Sequence, residues 1–168
     1  MDTQELKALQ APLKQQYRDD PSAAVLTLHA RGSLTEGISC SVETGQALVN
    51  AGLHPATGGD GSFACSGDML LQALAACAGV TMSSVATARG IALRGGTVFA
   101  DGDLDFKGTL GVDREAPVGF TDIRLRFELD TDATEEQIAD LLTTTERYCV
   151  VLQTLRTSPV VEASIARA

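Results

Sequence analysis

Residues 67–89 read GDMLLQALAACAGVTMSSVATAR, and Gly90 follows them. Within this stretch, residues 69–88 carry no charged side chain, and 20 residues are enough for a helix to span a bilayer. The stretch also contains several hydroxyl side chains and many alanines, which insert poorly into lipid, and no Lys/Arg cluster flanks it. A central helix buried on all sides therefore explains the pattern better than a membrane span, and we expect no membrane partner.

The segments before this helix predict a helical extension followed by a hairpin. Residues 3–17 have leucines at helical spacing, and we assign residues 1–20 to an N-terminal helical extension and 21–168 to a single domain. Residues 25–30 and 38–42 have strand character, and the segment from Gly32 to Gly37 between them predicts a turn. A Gly- and Pro-rich loop then leads into the central helix.

The segments after the central helix predict a second antiparallel pair, a second helix and a short last strand. Residues 97–110 and 121–129 alternate apolar and polar side chains. Thr134 and Gln137 form a capping-box pattern, and an apolar stripe runs from there through Leu152. Residues 160–165 complete the order ββ, helix, ββ, helix, short β. This order predicts an α+β fold with antiparallel sheets.

Composition and charge exclude several classes of function. The 168 residues fit one domain, and 13 Lys+Arg against 22 Asp+Glu give a net charge of −9 with no basic run. A nucleic-acid partner is therefore not expected. The first residues lack the apolar core of a secretory signal, so we expect a cytoplasmic protein whose four cysteines stay reduced.

No motif predicts a metal or a cofactor. The acidic alternation Asp101-x-Asp103-x-Asp105 lacks the Gly and Glu of a calcium loop and indicates the solvent-exposed face of a strand. The segment Gly58-Gly59-Asp60-Gly61 lacks the ending of a phosphate-binding loop. His29 and His54 are isolated, and no Cys or His pair has zinc-ligand spacing.

Two of the four cysteines lie on the apolar face of a predicted helix. Cys77 follows Leu70 by seven residues and Cys149 follows Ile138 by eleven, so each points about 20° from that buried position. Packed helices could bring both thiols together, as a reactive pair or as inert core residues. Cys65 precedes a helix, where exposed N–H groups favour a thiolate, and Cys40 lies in a predicted strand.

The stretch from Gly58 to Gly79 resembles the central helix of the OsmC/Ohr family, and the segment ERYCVVLQTL, residues 146–155, resembles the family's second cysteine segment. The resemblance implies an intertwined homodimer, with antiparallel sheets wrapped around two long central helices. It also implies a thiol peroxidase that reduces organic hydroperoxides without metal or flavin, recycled by an external dithiol or lipoyl-type reductant. The alternatives are an OsmC-like dimer that binds a small ligand and a purely structural dimer.

The resemblance also implies roles for particular residues. Cys77 is expected to be the peroxidatic thiol and Cys149 the resolving thiol, with an arginine and an acidic residue nearby. We assign the arginine to Arg18, or else to Arg31, and the acidic residue to Asp68.

Two further expectations concern the activation of Cys77. It lies about ten residues into its helix, beyond reach of the N-terminal dipole, so a cation is expected to stabilise its thiolate. The second cysteine segment departs from the family pattern, in which Pro usually follows the cysteine, because Val150 stands there.

Overall fold

The structure, a computed structural model, describes residues 2–20, 31–35, 39–43 and 48–167. Their elements in chain order are α1 (Thr3–Asp19), β1 (Arg31–Thr35), β2 (Ser39–Glu43), β3 (Leu48–Gly52), a 3-10 turn (Pro55–Thr57), β4 (Ala64–Cys65), α2 (Ser66–Arg89), β5 (Gly95–Leu104), α3 (Phe106–Thr109), β6 (Phe120–Asp130), α4 (Glu135–Tyr148) and α5 (Val150–Arg156). The chain is thus a mixture of helices and strands, as the α+β prediction requires.

Helix α1 begins at a reciprocal cap and docks on α2. The Asp2 carboxylate accepts from the first-turn N–H groups, and the Glu5 side chain accepts from the Asp2 backbone N–H. The Thr3 hydroxyl donates to the Thr87 carbonyl of α2 at 2.8 Å. The predicted N-terminal helix is therefore present, and its first turn is attached to the end of the central helix.

Strands β1 to β4 form one sheet in chain order. The pairs β1–β2 and β2–β3 are antiparallel, whereas β3–β4 is a short parallel pair. An antiparallel hairpin is present, but the turn predicted from Gly32 to Gly37 is wrong over residues 32–35, because residues 31–35 pair with residues 39–43. The other expected strand, residues 25–30, lies outside the described residues.

Strands β5 and β6 form the predicted antiparallel pair. One face packs on the core through apolar side chains, those of Val98, Ala100, Ile123, Leu125 and Phe127. The other face carries the charged side chains, among which Arg124 pairs with Asp103. Strand β5 ends earlier than predicted. Asp105 leaves the strand and accepts a hydrogen bond from the Lys107 N–H at 3.0 Å, which starts the short helix α3.

Helix α2 packs on β5, α4 and α5 through a stripe of small and apolar residues. Its buried positions recur every four residues, at Leu74, Ala78, Met82 and Ala86, and Gly90 ends the helix with φ of 67°. The expectation of burial on all sides is wrong for the protomer, because the two strands and helices α4 and α5 cover only one face.

The other face of α2 is apolar and open. Val80 is 72% exposed. Among the described residues, α2 is the one helix long and apolar enough to cross a membrane, a test that core helices also pass.

Helix α4 begins at the predicted capping box of Thr134 and Gln137. It does not continue through Leu152, because Cys149 adopts an extended conformation and α5 starts at Val150. The predicted last strand is also wrong. Residues 160–165 form no strand in the described part of the chain. Their apolar side chains have no surface to pack against, and that of Ile165 is 97% exposed.

Candidate active site

The fold brings Cys77 and Cys149 together in the larger core cluster. Cys149 is fully buried with Leu74, Ala78 and Leu152, and half-buried Cys77 packs against the same cluster. Both cysteines are free, and they are close enough for each to shift the pKa of the other. The helical spacing therefore correctly predicted that both cysteines face the same core. The contact itself arises because α2 packs on both α4 and α5.

The break between α4 and α5 gives Cys149 a position that the sequence did not predict. Cys149 has φ of −73° and ψ of 104°, and its N–H still donates to the Thr145 carbonyl at 2.9 Å. Cys149 makes no side-chain cap on α5. The first N–H groups of α5, like those of any helix, have no intrahelical acceptor, and those of Val150 and Val151 act on the pKa of Cys77.

Four donors surround the Cys77 sulfur. Burial alone would raise the pKa of Cys77, but the N–H of Val151, the thiol of Cys149, the N–H of Val150 and the hydroxyl of Thr81 together hold it below its usual value. Each of these groups donates to the charged form of the thiol and therefore favours it. Hydrogen bonds are thus the causes that lower the pKa of Cys77 within this chain, and the expected cation stays a prediction.

Cys149 shifts in the opposite direction. Burial is the largest cause and raises its pKa. The Leu152 N–H, the second largest, lowers it, and the smaller effects of the hydrogen bond and charge of Cys77 raise it. Two adjacent thiols cannot both ionise easily, since like charges repel. The pair is therefore asymmetric, with the half-buried cysteine the more readily ionised of the two and the buried one the less readily ionised.

The structure does not bring the expected arginine to this pair. Arg18 lies on the exposed side of α1, where it donates to Gln15 at 3.4 Å, and it is not among the groups that act on Cys77. Arg31 begins β1, and its side chain lies outside the described part of the molecule. Within one protomer, neither assignment receives support from a contact.

Asp68 also lies away from Cys77. Because α2 already starts at Ser66, Asp68 stands in the first helical turn, nine residues before Cys77 and on the opposite face. The helix therefore holds the Asp68 carboxylate away from Cys77 of the same chain. Asp68 lines a cavity of about 340 Å³ together with His54 and Cys65.

The histidine and the two other cysteines considered in the sequence lie away from the Cys77–Cys149 pair or outside the described residues. His54 accepts a hydrogen bond from the Ala56 N–H at 3.0 Å and stacks on Phe106 in the Gly-rich loop. Cys65 is the half-buried residue that precedes α2 and makes no side-chain cap. The side chain of Cys40 lies outside the described part of the chain. In the described ranges, no group of three or more His, Cys, Asp or Glu side chains could hold a metal ion.

Three groups that contact Cys77 were missed from the sequence. Thr81 follows Cys77 by four residues, so the helical repeat alone could have placed it there. The N–H groups of Val150 and Val151 could not have been found this way, because neither Gly nor Pro marks the break at Cys149.

The site and fold match a known family. The family model of the OsmC-like protein matches residues 59–164, more than half of the chain, and the chain belongs to this family. No curated protein matches it.

Solved structures share the fold at low sequence identity. An OsmC-like protein from Mycoplasma pneumoniae is 20% identical over 79% of this chain and 89% of its own, with a TM-score of 0.67. An organic hydroperoxide resistance protein from Legionella pneumophila is 16% identical over 79% of this chain and 91% of its own, with a TM-score of 0.62. Another, from Elizabethkingia anophelis, is 17% identical over 80% of this chain and 91% of its own, also with a TM-score of 0.62.

Proposed function

We propose that this chain is a cysteine-based peroxidase that reduces organic hydroperoxides to alcohols. The observation that carries the proposal is the contact between two free thiols whose pKa values are shifted apart, that of Cys77 downward and that of Cys149 upward. A nucleophilic thiolate beside a thiol that stays protonated is what a two-cysteine peroxide reduction requires. The names of the hydroperoxide resistance relatives point to the same substrate class.

The first step is attack of the Cys77 thiolate on the distal peroxide oxygen. The O–O bond breaks, the sulfur gains that oxygen as a sulfenic acid, and the leaving alkoxide takes a proton to become the alcohol. The donors around Cys77 help at this step by raising the thiolate fraction.

The second step joins the two cysteines. The Cys149 thiol condenses with the sulfenic acid, forming the S–S bond and releasing water. An external dithiol, such as a lipoyl-type reductant, then reduces the disulfide by exchange and leaves as its own disulfide. Two electrons from the dithiol thus account for each peroxide reduced.

The open face of α2 supports a homodimer as the working form. Leu70 and Val80 lie seven residues before and three after Cys77, on the same side of the helix, and they are 38% and 72% exposed. Covering this face with a second copy would remove apolar surface from water and surround the half-exposed thiol. Such an apolar surround favours an organic hydroperoxide over hydrogen peroxide.

Single-turnover consumption of cumene hydroperoxide by the reduced protein tests this function. We expect Cys77→Ser to abolish consumption and Cys149→Ser to allow one turnover without disulfide formation. Cys65→Ser is the matched control, because Cys65 is also a free, half-buried cysteine at one end of α2, and it should react as the unmodified protein does. Peroxide consumption that survives Cys77→Ser would refute the proposal.

The rival function is ligand binding by a dimer whose cysteines only pack. A cavity of about 410 Å³ favours it, lined mainly by apolar side chains that include Met82, Phe127 and Leu142. This function predicts no peroxide consumption and saturable binding of an apolar fluorophore. Loss of that binding in Leu142→Arg, with Cys77→Ser unaffected, would support it.

A further inference from the structure

Thr81 lies one helical turn after Cys77 in α2, and its hydroxyl is close to the backbone of Cys77. Its Oγ1 lies 2.8 Å from the Cys77 carbonyl oxygen, to which it donates. Thr81 is half-buried, so its hydroxyl is only partly solvated. A threonine hydroxyl has one proton and can rotate it between two acceptors without moving any heavy atom. Because residues four apart share one face of a helix, the Cys77 sulfur is the other acceptor on that side of α2.

We propose that Thr81 is a switchable donor, which donates to the Cys77 carbonyl while the thiol is protonated and to the Cys77 sulfur once the thiolate forms. This inference rests on the proposed function, because it concerns the thiolate that attacks the peroxide. The carbonyl can lose this second donor at little cost, since a backbone carbonyl at this position inside α2 already accepts from the N–H four residues later.

The Thr81 hydroxyl matters because, among the described residues, few other side chains near Cys77 can donate a hydrogen bond. From α2 the neighbouring polar group is Thr81, and the buried cluster on which Cys77 packs is also covered by apolar side chains of β5, Val98 and Ala100. The junction of α4 and α5 contributes the Cys149 thiol, the titratable group that faces Cys77 in the described part of the protomer. Two of the other donors are backbone groups. Thr81 is thus a side-chain donor that can be removed without touching the second cysteine.

The pKa of Cys77 agrees with this geometry. A hydrogen bond from the Thr81 side chain is one of the causes that lower it, after the larger effects of burial and of the α4–α5 junction. We therefore expect Thr81 to make a measurable but secondary contribution to the thiolate.

The test measures alkylation of Cys77 by iodoacetamide as a function of pH in the full-length reduced protein, with the Cys77 peptide quantified by mass spectrometry. Thr81→Val removes the hydroxyl and keeps the side-chain shape, and Thr81→Ser restores a hydroxyl. Thr87→Val is the matched control, because Thr87 makes the same bond to the carbonyl four residues back, at 2.8 Å from Ser83 O, in the same helix and away from the cysteines.

We expect Thr81→Val to move the pH midpoint of alkylation upward and to slow alkylation about threefold below that midpoint, the effect of one partly solvated hydrogen bond. Thr81→Ser should return both quantities to those of the unmodified protein, and Thr87→Val should change neither. The inference is overturned if Thr81→Val superimposes on the unmodified protein, if serine fails to restore the profile, or if Thr87→Val shifts it equally.

Failure of this inference can be told apart from failure of the proposed function, because alkylation needs no peroxide. A protein that consumes peroxide but shows no Thr81 effect keeps the peroxidase proposal and loses the donor. A protein that consumes no peroxide but shows the full Thr81 effect loses the peroxidase proposal, while the donor role at the thiolate stands.

Discussion

Replacing Val150 by proline removes one hydrogen-bond donor from Cys77 and almost nothing else. Val150 is the first residue of α5, where an N–H has no intrahelical partner and proline's fixed φ suits the helix. The preceding residue, Cys149, already has the extended conformation that proline demands of its neighbour. The valine side chain is 70% exposed, so its loss removes little packing. Val150→Pro should therefore fold normally while the pKa of Cys77 rises.

The size of the effect follows from one hydrogen bond to a charged group. Such a bond contributes about 1.5–3 kcal/mol, and the half-exposed position of Cys77 favours the lower end. At about 1.4 kcal/mol per tenfold, the thiolate fraction below the pKa of the thiol falls about tenfold. A more basic thiolate is also a better nucleophile, with an exponent of about 0.4–0.5, which restores about threefold. The net reaction with peroxide should slow about three- to fourfold at low pH.

The assay is stopped-flow reaction of the reduced protein with cumene hydroperoxide from pH 5 to 10. Val150→Ala is the matched control, since it shortens the same side chain and keeps the N–H. We expect Val150→Pro to be slower than Val150→Ala at low pH and equal or faster above the thiol pKa, so that the two profiles cross. A folded Val150→Pro protein whose profile coincides with that of Val150→Ala would refute the role of this N–H.

Three further predictions address the pair and the core that holds it. Because donors lower the pKa of Cys77 and burial raises that of Cys149, alkylation of Cys77 should level off at a lower pH than that of an unstructured cysteine, and Cys149 should react at a higher pH, as peptide mass spectrometry can measure. Leu141→Ala should lower the free energy of unfolding by about 2–5 kcal/mol in urea titrations, because Leu141 is fully buried, and a loss under about 1 kcal/mol would contradict this packing. Thr134→Ala should cost about 1 kcal/mol by the same measurement through loss of the α4 cap, and Thr134→Ser should restore it.

Features set by neighbouring residues could be predicted from the sequence. The capping box at Thr134 and the ending of α2 at Gly90 depend on side chains a few positions away. The alternation of β5 and β6 likewise identified their pairing and their solvent face. The spacing of Cys77 and Cys149 along their helices placed both thiols toward the same core.

Features that depend on packing between distant segments could not be predicted. The chain leaves the helical conformation at Cys149 without a Gly or Pro, so nothing local marks the break that turns two N–H groups toward Cys77. Helical position places Cys77 too far from the N-terminus of its own helix for that dipole to act, which is why a cation was expected. It could not reveal the two N–H groups that lower the pKa of Cys77, which belong to a helix that starts more than 70 residues later in the chain.

The mass of the reduced protein after one equivalent of cumene hydroperoxide, followed by peptide mapping, tests the central claim most directly. The account predicts a loss of about two mass units and a disulfide-linked peptide pair containing Cys77 and Cys149, with a gain of about 16 mass units on Cys77 instead in the Cys149→Ser variant. An unchanged mass, or a disulfide that joins Cys65 in place of either residue, would contradict it.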